Sequence, residues 1–249
     1  MGARGGGYGA RGGAGYDRRM IETVFLDAGG VLVNPNWERV SAGLAGHGVN
    51  VSVATLEAAE PHAKKQLDTG AAIKATNDTS RGWLYFNLVL QHAGIALSEA
   101  TDAALRELAE YHARVNLWES VPREVPAALE RLRAAGHRLV VVSNANGTLQ
   151  AQFDRLDLTR HFDVLLDSAV EGVEKPDPRL FQIALERSGS RAETTVHAGD
   201  FFHIDVVGAR AAGLQAWLID SAGLYADHDV PRVPSLAALV DRLLEPAPA

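Results

Sequence analysis

The chain has 249 residues, 47% hydrophobic and 22% charged, with a net charge of −7 and a mean hydropathy near zero. That length suits one medium domain with an insertion or two small ones, and the acidic balance argues against a nucleic-acid surface, which needs clustered Lys and Arg. The absence of cysteine excludes disulfides and thiolate metal sites, and the apolar runs are strand-sized, too short to span a bilayer.

Residues 1–19 are rich in Gly and Arg and offer almost nothing to bury, so a disordered tail is expected there. An arginine–glycine RNA-binding arm is the sharper reading of this segment. The favoured one is an upstream extension, with Met20 beginning the folded protein. No apolar signal-type run follows the N-terminus, so a cytoplasmic protein is expected.

From Ile21 the pattern changes. Thr23–Leu26 reads as a short strand ending in Asp27, and Ala28-Gly29-Gly30 as a turn leading to a second extended piece at 31–33. Asn34-Pro35-Asn36 breaks that piece. Residues 37–118 then read almost entirely as helix, with Leu84, Leu88 and Gln91 on one face and Leu105, Leu108 and Tyr111 on another, and with Pro61 expected to interrupt one helix.

After Pro122 helices and strands alternate. A helix at 123–135 stops at Gly136, strand Arg138–Ser143 follows, and a helix is expected around 148–156. Strands at 162–166, 195–198 and 216–219 alternate with helices Pro178–Ser188, 204–212 and Leu236–Leu244. Such alternation predicts an α/β fold, a doubly wound parallel sheet covered on both faces. The helical block interrupts the series after the first strand. The expected organisation is therefore a core of 20–36 and 119–249 with an inserted helical cap subdomain at 37–118.

In an open parallel sheet, ligands bind beyond the carboxyl ends of the strands. The residues at those ends are Asp27, Ser143 with Asn144, Asp167 with the loop to Lys175, and Asp200. Taken singly, Ser143 and Asp205 read equally as helix caps, and Lys175-Pro176-Asp177-Pro178 as a rigid turn. Taken together with Asp27 and Asp200 they read as one site. His197 reads as packing and His203 as surface, with His203 kept as a minor acid–base candidate.

Four segments carry a resemblance: FLDAGGVLV at 25–33, VVVSN at 140–144, EKPDPRLF at 174–181 and HAGDFFHIDVVGARAAG at 197–213. In this order, each at a strand end or flank, they resemble the four motifs of the haloacid dehalogenase (HAD) superfamily, over roughly residues 23–244. The resemblance implies a HAD-like Rossmannoid core and a hydrolase with Asp27 as covalent nucleophile. It implies Mg²⁺ held by Asp27, the Gly29 carbonyl, Asp200 and Asp205, hard oxygens of the kind that ion prefers. Ser143 and the Asn144 N–H are expected to donate to phosphoryl oxygens, and Lys175 to supply a compact positive charge. The partner implied is a small-molecule phosphate ester, with no nucleic acid, no membrane and no reading of oligomeric state.

Gly29 departs from the pattern, since family phosphatases carry an acid two residues after the nucleophile. A missing general acid costs about 10²–10⁴-fold if nothing replaces it. One reading is a phosphatase for an ester with an easy leaving group, such as an anomeric sugar phosphate; SNAN at 143–146 resembles a sugar-1-phosphatase branch of the superfamily. Another is a 2-haloacid dehalogenase working without metal, and a third is a non-catalytic phospho-ligand binding protein. Asp200 and Asp205 beside Asp27 make sense chiefly around a cation, which favours the phosphatase. Trp83, Tyr85, Lys64 and His112 of the helical block are expected to be core aromatics and solvated charges.

Overall fold

The computed structural model of the protein describes residues 21–245; the Gly/Arg-rich segment expected to be a tail lies outside the described residues. Six strands form one sheet in the order β5-β4-β1-β6-β7-β8. They are β1 (Thr23–Leu26), β4 (Arg138–Ser143), β5 (Val164–Asp167), β6 (Thr195–Gly199), β7 (Gln215–Ile219) and β8 (Arg232–Val233). Every neighbouring pair is parallel. Successive residues of a strand point to opposite faces. Val24, Leu26, Leu139 and Val141 therefore pack on one side against α6 (Val125–Ala134), α7 (Leu149–Arg155) and α11 (Leu236–Leu244). Phe25, Val140 and Val142 pack on the other against α9 (Pro178–Ser188) and α10 (Val207–Ala211). The doubly wound α/β expectation is borne out.

β1 pairs with β4 on one side and β6 on the other. The chain reverses direction of winding there, opening the crevice in which open parallel sheets hold ligands.

Five helices lie between β2 (Asn34–Pro35) and β3 (Trp118–Ser120): α1 (Trp37–Gly46), α2 (Val53–Leu67), α3 (Gly70–Ala75), α4 (Asp78–His92) and α5 (Glu99–Val115). They bury a second apolar cluster of their own, including Val40, Leu44, Leu56, Leu67, Val89 and Leu105. β2 and β3 pair antiparallel, Pro35 opposite Trp118, and form the ribbon that joins the helices to the sheet. No described helix is long and apolar enough to cross a membrane.

Several local expectations are corrected. Residues 31–32 are turn rather than strand and Val33 forms only an isolated bridge with Gly29; Leu32 N and Val33 N both donate to the Ala28 carbonyl, at 2.9 and 3.0 Å. Asn34–Pro35, expected to break the extended piece, is itself the strand. Pro61 does not interrupt its helix; α2 runs through it. A proline inside a helix costs about 3 kcal/mol. Fully buried Leu56, Ala63 and Leu67 on either side supply burial of about 1.5–3 kcal/mol per leucine, enough to carry the helix past the lost bond. The helix expected at 204–212 begins instead as a wide π-type turn, Phe202–Val206, before α10.

Candidate active site

Asp27 leaves β1 at the crevice, and its backbone N–H donates to the Ala198 carbonyl of β6 at 2.9 Å, fixing the strand end. Its carboxylate converges with those of Asp200, just past β6, and Asp205, within the wide turn; one oxygen from each lies within 4.8 Å of the others. Lys175 Nζ, fully buried, lies 2.8 Å from Asp27 Oδ1 and 2.7 Å from Asp205 Oδ1. Burial disfavours the lysine charge, but the two carboxylates outweigh it and hold the ammonium form well above its usual range.

The three acids differ because their partners differ. Burial pushes Asp27 up to about 7, with Lys175 opposing and Asp205 and Asp200 reinforcing the rise. Burial likewise raises Asp200 to about 6 against the pull of Lys64. For Asp205 burial is outweighed by Lys175 and by the His197 hydrogen bond, so its carboxyl sits well below the ordinary range. His197 Nε2 stands 3.0 Å from Asp205 Oδ1, so a neutral ring carries its proton on Nε2. The Phe201 N–H donates to Asp205 Oδ2 at 3.0 Å. Asp205 is thus a fixed anion behind Lys175.

Ser143 is buried at the end of β4 and lines the same cavity. The Asn144 side chain clasps the lysine loop from both directions: Nδ2 donates to the Lys175 carbonyl at 3.0 Å, and Oδ1 accepts from the Lys175 N–H at 2.7 Å. Gly29 also lines the cavity. All seven residues singled out from the sequence therefore lie around one crevice. The helix-capping alternatives fall away. Thr148 is the N-cap of α7 in place of Ser143, and Asp205 accepts from a residue preceding its turn. Asp167 serves the loops instead, accepting from Gly147, Leu149 and Ala169 N–H groups.

The helical layer supplies what the sequence reading missed. Lys64 of α2 reaches Asp200 Oδ2 at 2.8 Å and Glu60 Oε1 at 3.2 Å, with its side chain only 12% exposed; it is not a solvated charge. Tyr85 donates to Glu60 at 2.8 Å, extending the network into α4. Trp83, Tyr85 and His112 line the cavity as well. Asp68 latches the layer to the sheet by accepting from the Phe202 and His203 N–H groups at 2.6 and 2.9 Å. It also takes up His203 Nδ1 at 3.0 Å, and His203 does not line the cavity, which removes it as an acid–base candidate. The one sequence signal for Lys64 was its i,i+4 spacing from Glu60.

The cavity above the acids encloses about 730 Å³. The buried Asp200 and Asp205 and the half-buried Asp27 are a donor set of hard oxygens that suits a small divalent cation.

The chain is similar to known proteins over most of its length. The family model described as haloacid dehalogenase-like hydrolase matches residues 21–213. The chain is 32% identical over 174 residues to haloacid dehalogenase-like hydrolase domain-containing protein 3 of Homo sapiens, covering 66% of this chain and 68% of that one. It is 34% identical over 155 residues to the ribulose-1,5-bisphosphate 5-phosphatase of Halopiger xanaduensis, covering 61% and 62%. The solved 2-haloacid dehalogenase from Pseudomonas syringae pv. Tomato DC3000 has a TM-score of 0.55 at 28% identity, over 90% of this chain and 98% of that one.

Proposed function

The chain belongs to the haloacid dehalogenase-like hydrolases, and on that premise we propose that it is a Mg²⁺-dependent phosphatase acting on a small phosphate monoester. The observation that carries this reading is the convergence of Asp200 and Asp205 on Asp27, with oxygens within 4.8 Å. A 2-haloacid brings a carboxylate of its own, which a buried anionic cluster would repel. A phosphoryl group arriving with a cation meets the opposite situation.

In this reading residues 37–118 act as a cap over the core. Asp27 attacks phosphorus from its rigid strand end and forms an aspartyl-phosphate. Lys175, clamped by Asp205 and by the Asn144 clasp on its loop, holds the nucleophile's oxygen in place and favours its ionised form. Ser143 and the Asn144 N–H donate to the equatorial oxygens, where phosphoryl transfer concentrates charge. Asp27, Asp200 and the Gly29 carbonyl would hold the ion, whose chemistry here is neutralising negative charge. Asp205 stands behind them, because both its oxygens already accept protein donors.

The test is phosphate release from p-nitrophenyl phosphate with and without Mg²⁺, in the unmodified protein and in Asp27→Asn. Release that depends on Mg²⁺ and is lost in the variant supports the proposal. Chloride release from 2-chloropropionate without metal, with no phosphate release from any ester, would hand the chain to the dehalogenase reading.

A further inference from the structure

Gly29 has no side chain, and the space one would occupy is filled. A Cβ built there meets Trp118 Nε1 at 3.2 Å and Cδ1 at 3.3 Å. Trp118 is held through its backbone and along its ring. Its backbone N–H donates to Asn116 Oδ1 at 3.0 Å, and its carbonyl accepts from the Gln152 side chain. Its ring packs against His112, Phe86 and Tyr85 with centroids 5.4, 5.7 and 5.9 Å away. Trp118 Nε1–H has no hydrogen-bond partner among the described residues. An unspent neutral donor therefore sits beside Gly29, two residues from the nucleophile.

The rest of the cavity wall is mostly apolar, and many of its polar groups are committed. Phe86, Leu105, Leu108 and Ala109 give it hydrophobic walls, with Trp83 at the rim. Glu60 Oε1 is taken by both Lys64 and Tyr85. His112 accepts from the Leu117 N–H and faces Asn146, and Asn116 is spent on Trp118 and Thr148. Asp78, whose carboxyl pKa burial raises, lies 3.8 Å from Arg81 Nη1, and the buried Arg81 Nε and Nη1 make no hydrogen bond among the described residues. A sugar's hydroxyls set against Phe86, Leu105 and Leu108 would give up water without gaining partners there. A flat apolar ring loses nothing and gains aromatic neighbours.

Resting on the phosphatase reading, we infer that the substrate is the phosphate monoester of a phenol, its ring seated among Phe86, Leu105, Leu108 and Trp118, with Trp118 Nε1–H donating to the bridging oxygen. A bond forms between an Asp27 oxygen and phosphorus as the bridging P–O bond breaks, and that bond's electron pair leaves on the phenolate oxygen. Phenols ionise near pH 10, far more easily than alkyl alcohols, so the phenolate departs without a proton from the enzyme and takes one from water afterwards. The indole N–H does not transfer its proton; it stabilises the charge as it develops. Water then cleaves the aspartyl-phosphate, returning Asp27 and inorganic phosphate.

The experiment compares kcat and KM for phenyl, 1-naphthyl and p-nitrophenyl phosphate with those for glucose 1-phosphate and glucose 6-phosphate, in the presence of Mg²⁺. KM is expected to fall roughly tenfold from phenyl to naphthyl as apolar contact grows, and Phe86→Ala to abolish that gain. Trp118→Phe keeps an aromatic ring but not the donor. It is expected to lower kcat for phenyl phosphate about 10–100-fold, lower it much less for p-nitrophenyl phosphate, and leave KM nearly unchanged. A readout without turnover is the quenching of tryptophan fluorescence in Asp27→Asn by benzylphosphonate and naphthylmethylphosphonate, the second expected to bind more tightly. A glucose phosphate turned over better than every aryl ester, or affinity indifferent to ring size, overturns the inference. If no ester releases phosphate, the phosphatase reading fails, and the phosphonate order alone then decides whether the cavity takes aromatic anions.

Discussion

Lys64 Nζ of α2 lies 2.8 Å from Asp200 Oδ2 at the end of β6, so a cation from the helical layer already occupies one oxygen of the acidic cluster. A divalent ion held by Asp27 and Asp200 has to share that carboxylate with the ammonium. Two unit charges about 4 Å apart repel by about 4 kcal/mol at an effective dielectric of 20. Lys64→Met preserves chain length and removes the charge, and is expected to tighten Mg²⁺ binding at least tenfold in a calorimetric titration. Weaker binding in the variant would show that Lys64 positions Asp200 for the ion rather than competing with it.

Gly30 lies against the same carboxylate. Its φ is +70°, and a Cβ there falls 1.9 Å from Asp200 Oδ2. Gly30→Ala therefore combines left-handed backbone strain with displacement of Asp200, a cost of about 1–3 kcal/mol. Expected are a melting temperature lower by several degrees and phosphate release reduced more than tenfold. Gly46→Ala is the control, because nothing lies within 4 Å of a Cβ at that helical position. Equal behaviour of the two variants would mean that Asp200 moves aside freely.

The doubly wound half was legible because its residues obey two clean periods. Arg138–Ser143, Pro178–Ser188 and Leu236–Leu244 begin and end where the pattern says. Asp27, Ser143 and Asp200 were legible through topology, since a parallel sheet gathers its strand ends at one edge. Lys64 and Trp118 were not. Lys64 meets Asp200 across 136 residues of sequence, and its helical periodicity says only that α2 is a helix. Trp118 lies in a ribbon of two and three residues, too short for any period to register. Pro61 misled because local propensity there yields to burial on both sides.

His112 gives a pH dependence that does not involve the acids. Its Nδ1 accepts the Leu117 N–H at 3.1 Å, which requires the neutral ring, and burial lowers its pKa below the ordinary 6.5. Below pH 6.5 the unfolded chain binds a proton that the folded ring resists, so stability falls as pH drops through that window toward the folded value. His112→Gln is expected to flatten the melting-temperature profile between pH 7 and 5. A profile unchanged by the substitution assigns the acid sensitivity to other groups, among them His137, whose pKa burial also lowers.

An aspartate at position 29 needs the room that the Trp118 indole holds, with Nε1 only 3.2 Å from the new Cβ. Gly29→Asp alone is therefore expected to lower stability and slow every ester, since either the indole or the new carboxylate must shift. Trp118→Ala opens the space but removes the donor and one wall of the ring site. In the double variant the new carboxyl sits beside buried acids that raise its pKa, so a protonated fraction survives near neutrality. That fraction can give its proton to a departing alkoxide, a contribution of about 10²–10⁴-fold when well placed. Rates of the double variant should then fall less steeply with leaving-group pKa than those of Trp118→Ala, measured across a series of alkyl and aryl phosphates. The two substitutions are in contact and are not expected to add, and a double-mutant cycle reports their coupling. A slope the same in both variants means that position 29 does not face the leaving oxygen, and Trp118 then owes its place to packing alone.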